Sequence, residues 1–277
     1  MEHKPSKRNY RKHIRIADTA DKYTLYEESV QDVEFETGFV ADIFKKNRDK
    51  DARSLREDFC GTANTACAWI KRHPENMAIG VDLDTGVLSW GRERHVRKLE
   101  PQQAARISLL NQNVLDVRTD PVDIVLAMNF SYWSFKTRAL LREYFLRVHA
   151  ALGNGGIFFL DAYGGYEDYE EMEEETEYDD FSYVWDQAEY NPVNGHMKAH
   201  IHFKFPDGSA LSPAFTYEWR LWSLPEIREL LGEAGFSKTT VYSQGWDEEL
   251  DEATDEFEIV ERMDADPAWI VYISAEK

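Results

Sequence analysis

The stretch Leu55–Asp84, LREDFCGTANTACAWIKRHPENMAIGVDLD, constrains this chain more than any other. It opens with a short strand-like run ending in Glu57, followed by the tight segment Phe59-Cys60-Gly61-Thr62-Ala63. The spacing then predicts a helix from Asn64 to about Arg72, with Ala66, Ala68, Trp69 and Ile70 as its apolar content. His73-Pro74 ends it, because the residue before a proline is pushed out of the α region. A second strand, Met77–Val81, leads to Asp82. This is a strand–turn–helix–strand unit of the size of a nucleotide-binding half. Gly61 and Ala63 are small enough for the backbone to approach a ligand at a helix start. Asp82, at the tip of the second strand, suits a ribose diol, since a carboxylate accepts from two hydroxyls. A pyrophosphate fits poorly, because the three-glycine fingerprint has a glycine only at Gly61.

On these residues the chain resembles the class I S-adenosylmethionine-dependent methyltransferases. The first motif reads Glu57-Asp58-Phe59-Cys60-Gly61-Thr62-Ala63 and the second Gly80-Val81-Asp82-Leu83-Asp84. Phe59 and Ala63 stand where that family usually has glycine. The resemblance implies an α/β fold: a Rossmann-like seven-stranded sheet with helices on both faces. It implies S-adenosylmethionine as cofactor, with S-adenosylhomocysteine as product. Glu57 is then expected near the methionine end, Phe59, Cys60, Gly61 and Thr62 in the cofactor loop, Asp82 at the ribose hydroxyls, and Leu83 beside it among the cofactor-binding residues. After the third strand, Ile107–Leu110, the adenine position falls on Asn113, with Val114 beside it, and Asp116 is the fallback. An amide oxygen accepts from an amino group as a carboxylate does.

The rest of the chain follows in order. Residues 1–16 are basic, with Tyr10 as their one aromatic, and lack the apolar core of a secretory signal. Ala17–Phe44 has the i, i+3, i+4 spacing of two helical pieces. By the resemblance these cover the cofactor, and Tyr23, Tyr26 and Gln31 are candidate lid residues. The run Val122–Met128 is continuously apolar after Asp123 and reads as a parallel strand covered on both faces. It delivers Asn129, Tyr132 and Trp133 to the carboxyl edge of the sheet, where open α/β sheets place ligands. A helix over Thr137–Leu152 and a strand over Ile157–Leu160 bring Asp161 and Tyr163 to the same edge.

Tyr166–Asp180 is an acidic run, read as a solvated helix or loop. Within Tyr183–Trp222, alternating segments such as Met197–Phe205 predict an inserted antiparallel layer over the acceptor pocket. Ser223–Ala234 reads as a capped helix, with two strands after it and an acidic loop at Trp246–Asp255. The expected organisation is a tail and helical lid at 1–48, a cofactor-binding domain at 49–165 and 223–277, and an insert at 166–222.

The expected reaction is methyl transfer to a small acceptor, an amine or an aromatic compound. Tyr132, Asp161, Tyr163, His200 and His202 are the candidate catalytic groups. His200 and His202 share a strand face, but no further ligand spacing accompanies them and no metal is expected. A net charge of −20 disfavours nucleic acid and anionic membranes as partners. Two cysteines and no long apolar run point to a soluble protein of a reducing compartment, the cytoplasm. An exposed sheet edge or the insert is where a homodimer would form. Two other readings stay open: a non-catalytic S-adenosylmethionine-binding regulator, and an RNA or protein methyltransferase using the basic tail.

Overall fold

The computed structural model describes residues 14–247 and 252–277, so most of the basic tail lies outside the described residues. Two helices come first, α1 (Lys22–Val30) and α2 (Val33–Arg48). Each is started by an aspartate whose carboxylate accepts a backbone N–H, Asp21 from Tyr23 and Asp32 from Phe35. Then follow β1 (Ser54–Asp58), α3 (Asn64–Arg72), β2 (Met77–Asp82), α4 (Thr85–Arg94), the short α5 (Pro101–Ala104), β3 (Ile107–Asn111), β4 (Val122–Ala127), α6 (Arg138–Ala151) and β5 (Leu152–Gly164). A second set of strands, β6 (Met172–Glu177), β7 (Ser182–Asn191), β8 (His196–Lys204) and β9 (Ala210–Arg220), precedes α7 (Leu224–Glu233). The chain ends in β10 (Lys238–Asp247), β11 (Glu252–Ile259) and β12 (Trp269–Glu276).

The large sheet has the order β11-β10-β12-β5-β4-β1-β2-β3. From β3 to β5 all neighbours are parallel, and β12, β10 and β11 each run antiparallel to the preceding strand. It therefore carries one strand more than expected, β11. The apolar runs of its central strands are explained by two covered faces. Val125, Ala127, Phe158 and Leu160 pack with Leu141, Tyr144 and Leu230 of α6 and α7, while Ile124, Leu126, Ile157 and Phe159 pack with Val40, Phe44, Trp69 and Ile70 of α2 and α3.

The small sheet, β6-β7-β8-β9, is antiparallel throughout. One face packs toward the large sheet's carboxyl edge through Met197, Ala199 and Trp219.

Two local expectations are corrected. The acidic run is neither helix nor plain loop: Met172–Glu177 pairs along β7, because backbone pairing needs no apolar side chain on an exposed edge. The segment read as an acidic loop is the end of β10 and the start of β11, with 248–251 outside the described residues. The helix after Asp84 stops at Arg94, and a separate 3-10 turn covers Val96–Lys98. No described helix is long and apolar enough to cross a membrane.

Candidate active site

The β1–α3 turn is held in an unusual backbone state. Phe59, Gly61 and Ala63 have φ of 56°, 52° and 60°. For the two non-glycine residues this costs on the order of 1–2 kcal/mol each. The surroundings hold them there. Cys60 N–H donates to Val81 O at 3.0 Å, and Ala63 N–H to Cys60 O at 2.7 Å. The Phe59 ring packs on Phe135 and Tyr144, and Cys60 is buried against Gly80, whose added Cβ would lie 2.8 Å from the thiol sulfur. These two side chains anchor the turn from beneath, so what they offer a ligand is backbone. Gly61 differs: a Cβ added there meets no atom within 4 Å, which leaves its outer side open. On the other flank Gly91 of α4 lies against Thr62, whose carbonyl oxygen would be 2.1 Å from an added Cβ.

Asp82 ends β2 beside this turn. One carboxylate oxygen accepts from Gly61 N–H at 2.8 Å, the other from Asp84 N–H at 2.8 Å. Each oxygen keeps a lone pair. Leu83 next to it is 69% exposed, an apolar surface at a strand tip. Asn111, which sequence reasoning missed, donates to the carbonyls of Asp82 and Leu83 and fixes that tip. Asn113 accepts from Leu115 N–H at 3.0 Å, while the Val114 side chain belongs to the core.

Beneath the turn lies a group of buried acids. Glu57 accepts from Ala66 N–H at 2.9 Å, in the first turn of α3. Glu36 of α2 accepts from the Thr65 hydroxyl at 3.3 Å. Asp161, at the end of β5, accepts from Asn129 N–H at 2.7 Å and Phe130 N–H at 2.9 Å. Burial pushes all three up, Glu36 to about 8 and Asp161 to about 7. Glu36 and Glu57 also repel one another, as do Asp161 and Glu36. Burial raises Asp82 as well. Among the described residues none of these four acids has a Lys, Arg or His within ion-pair distance. Neighbouring Asp58 shows the alternative, paired in two hydrogen bonds with Arg56 at 2.7 and 2.8 Å.

The N-terminal helices close over this ground. Glu27 accepts from the Thr62 hydroxyl and lies 2.7 Å from His95 Nε2, and Gln31 accepts from Asn64. Tyr23 packs between Trp90 and Phe215, so α1 touches α4 and the small sheet as well as the β1–α3 turn.

A cavity of about 530 Å³ opens between the two sheets. Its walls include Asn129, Phe130, Tyr163, Trp185, Tyr217 and Trp219, with Tyr26 from α1. Burial, with Tyr217 next, holds the Tyr26 phenol well above its ordinary value, so it stays a hydroxyl. Glu174 of β6 is the carboxylate on the described wall.

The candidate catalytic residues separate here. Tyr163 lines the cavity. Tyr132 is fully buried and donates to Asp161 O at 2.6 Å, which makes it a strut of the β4–β5 edge. Asp161 is occupied in holding the Asn129-Phe130 turn, both residues of which have positive φ. His200 and His202 are on the wrong side. Ile201 faces the cavity, and the two-residue alternation of β8 sends both histidines outward, to Thr216 at 2.9 Å and Asp186 at 3.1 Å. Sequence reasoning missed Glu36, Glu27 and Glu174. A signal existed for Glu36, which shares the face of α2 used by Val40 and Phe44.

No family model and no curated protein matches the chain. Solved structures do. An S-adenosylmethionine-dependent methyltransferase from Clostridium acetobutylicum ATCC 824 is 16% identical with a TM-score of 0.66, over 92% of this chain and 96% of that one. An S-adenosylmethionine-bound amino pentose methyltransferase from Micromonospora echinaspora, involved in calicheamicin biosynthesis, is 14% identical with a TM-score of 0.64, over 92% and 96%. A glycopeptide N-methyltransferase complexed with S-adenosylhomocysteine is 15% identical with a TM-score of 0.55, over 89% and 88%. At these identities the likeness shows a shared fold.

Proposed function

On this methyltransferase fold, we propose that the protein moves a methyl group from S-adenosylmethionine to a small acceptor held in the aromatic cavity, an amine or an aromatic compound. The observation that carries the reading is the group of acids on one edge, the buried Glu36, Glu57 and Asp161 with the half-buried Asp82, left without basic partners among the described residues. Unpaired buried carboxylates are costly in the empty protein. A ligand with a sulfonium and an ammonium supplies the missing charge, so the residues present fit it. Asp82 would hold the ribose hydroxyls, Glu57 the amino end, and Gly61 and Thr62 the approach of the backbone. Leu83, Asn113 and the backbone of Val114 would take the adenine, and Asn129 the side toward the acceptor.

When bound, S-adenosylmethionine supplies a methyl group already activated by a positively charged sulfur. The chain's own residues then have to orient the acceptor and exclude water. Tyr163, Tyr217 and Trp219 form walls suited to an aromatic or cationic group. Glu174 is placed to take a proton from an acceptor nitrogen. Asp161 and Tyr132 act through the turn they hold, as positioning residues.

The test is calorimetry with S-adenosylmethionine, S-adenosylhomocysteine and NAD, on the wild type and Asp82→Ala. Micromolar binding of the first two, weakened in the variant, is expected. Binding of NAD alone would overturn the reading.

A further inference from the structure

A second cavity, of about 790 Å³, lies on the far side of Tyr163 and Trp269, which line both. Its wall includes a buried acid that the methyl-transfer reading does not use. Asp168 is 7% exposed, and its Oδ2 has no hydrogen-bond partner. Its neighbours are acids and rings. Burial, then Glu174 and Glu167, pushes its carboxyl up to about 7. Tyr169 and Tyr190, 5.2 Å apart and nearly edge-to-face, stand on the same wall. The lysine and arginine side chains of the cavity are each engaged elsewhere, Lys136 with Glu218 at 2.9 Å, Arg220 with Glu226 at 2.8 Å, and Arg138 with Glu233, and His196 also stands on the wall.

The turn that carries Asp168 is tightly built. A Cβ on Gly164 would lie 2.1 Å from the Trp269 ring, and one on Gly165, at φ 144°, would lie 2.0 Å from Pro267 O. Glu167 N–H donates to Pro267 O, and the Gln187 amide reaches the carbonyls of Glu167 and Glu170. The well-anchored turn holds Asp168 in place with one buried carboxylate oxygen open to a further partner.

We propose that this cavity is a second binding site, for a small organic ammonium ion paired with Asp168 beside the Tyr169 and Tyr190 rings. A cation there ionises the carboxyl and meets aromatic faces.

The experiment needs no methyl donor and no turnover, so it is independent of the proposed activity. Benzylamine, tetramethylammonium and, as an anion control, benzoate are titrated by calorimetry into the full chain, its Asp168→Asn variant and its Trp185→Ala variant. The wild type is expected to bind at least one of the two cations in the millimolar range or better. Asp168→Asn should weaken that binding tenfold or more, and Trp185→Ala less than threefold. A thermal melt checks the variant: Asp168→Asn should be at least as stable as the wild type when empty and lose the shift that the amine induces. Three results would overturn the proposal: no cation bound by the wild type, benzoate bound in preference, or binding lost in Trp185→Ala and kept in Asp168→Asn.

Discussion

The carboxyl edge of the large sheet and the outer face of the small sheet are both rich in acids, and they treat them in opposite ways. On the outer face several acids are matched: Glu175 with Lys204 at 2.7 Å, Glu189 with Lys198 at 3.0 Å, and Asp186 with His202 at 3.1 Å. All are exposed or half-buried, and such pairs contribute little to stability. At the carboxyl edge Glu36, Glu57 and Asp161 are buried and lack such partners among the described residues. The same side chain is thus a solvated surface group in one region and a stored electrostatic strain in the other. Only the second arrangement has something to gain from a cationic ligand.

Breaking the buried Arg56–Asp58 pair at that edge should have the largest effect. Arg56 and Asp58 are 1% and 0% exposed, and the Tyr144 hydroxyl also donates to Asp58 at 3.0 Å. Arg56→Ala is expected to cost about 3–5 kcal/mol, because it leaves a buried charge alone. Urea unfolding would read it, and a loss below about 1 kcal/mol would remove the contrast between paired and unpaired acids on β1.

The unpaired acids should next be visible in pH. Glu36 is raised from 4.5 to about 8 and Asp161 from 3.8 to about 7. The folded state then holds protons that the unfolded chain has released. Stability therefore falls as pH rises from about 4 to about 8, by about 1.4 kcal/mol per pH unit for each such group inside its own window. Glu36→Gln should flatten the upper part of this slope. Melts at pH 6 and pH 8 with identical differences in wild type and variant would contradict the assignment.

Asp82→Ala should weaken S-adenosylmethionine at least tenfold, about 1.4 kcal/mol. An unchanged affinity in the folded variant removes Asp82 from the site. In the acceptor cavity, Trp185→Ala should raise KM for the acceptor severalfold and leave cofactor affinity alone. A change confined to cofactor affinity would move that ring to the other site. Smallest of all, His200→Ala should alter kcat and KM less than twofold, since its ring faces away from the cavity. A tenfold loss of kcat would reverse the assignment of the two faces of β8.

These contrasts also mark what the sequence makes legible. The turn after β1, Asp82 and the apolar central strands are local features, readable from spacing. So was the alternation of β8, although not which of its faces turns inward, because that depends on how the small sheet docks. The Glu36–Asp161 proximity was unreadable, since it joins residues far apart in the chain across the sheet edge. The acidic strand β6 was hidden for a different reason. Its burial does not alternate, so it carries no period for a reader to detect.

That strand has one further consequence. β6 is the outer strand of its sheet, and five of its six residues are exposed. An open strand edge is a template on which another chain can zip. Glu173, Glu174, Glu175 and Glu177 turn this one into a row of like charges, so an approaching strand of the same kind meets repulsion before it can form a hydrogen bond. The protection is electrostatic and therefore depends on salt: with a screening length of about 8 Å at physiological ionic strength and about 3 Å at 1 M, concentrated salt strips it away. Aggregation of the native protein should begin at this edge.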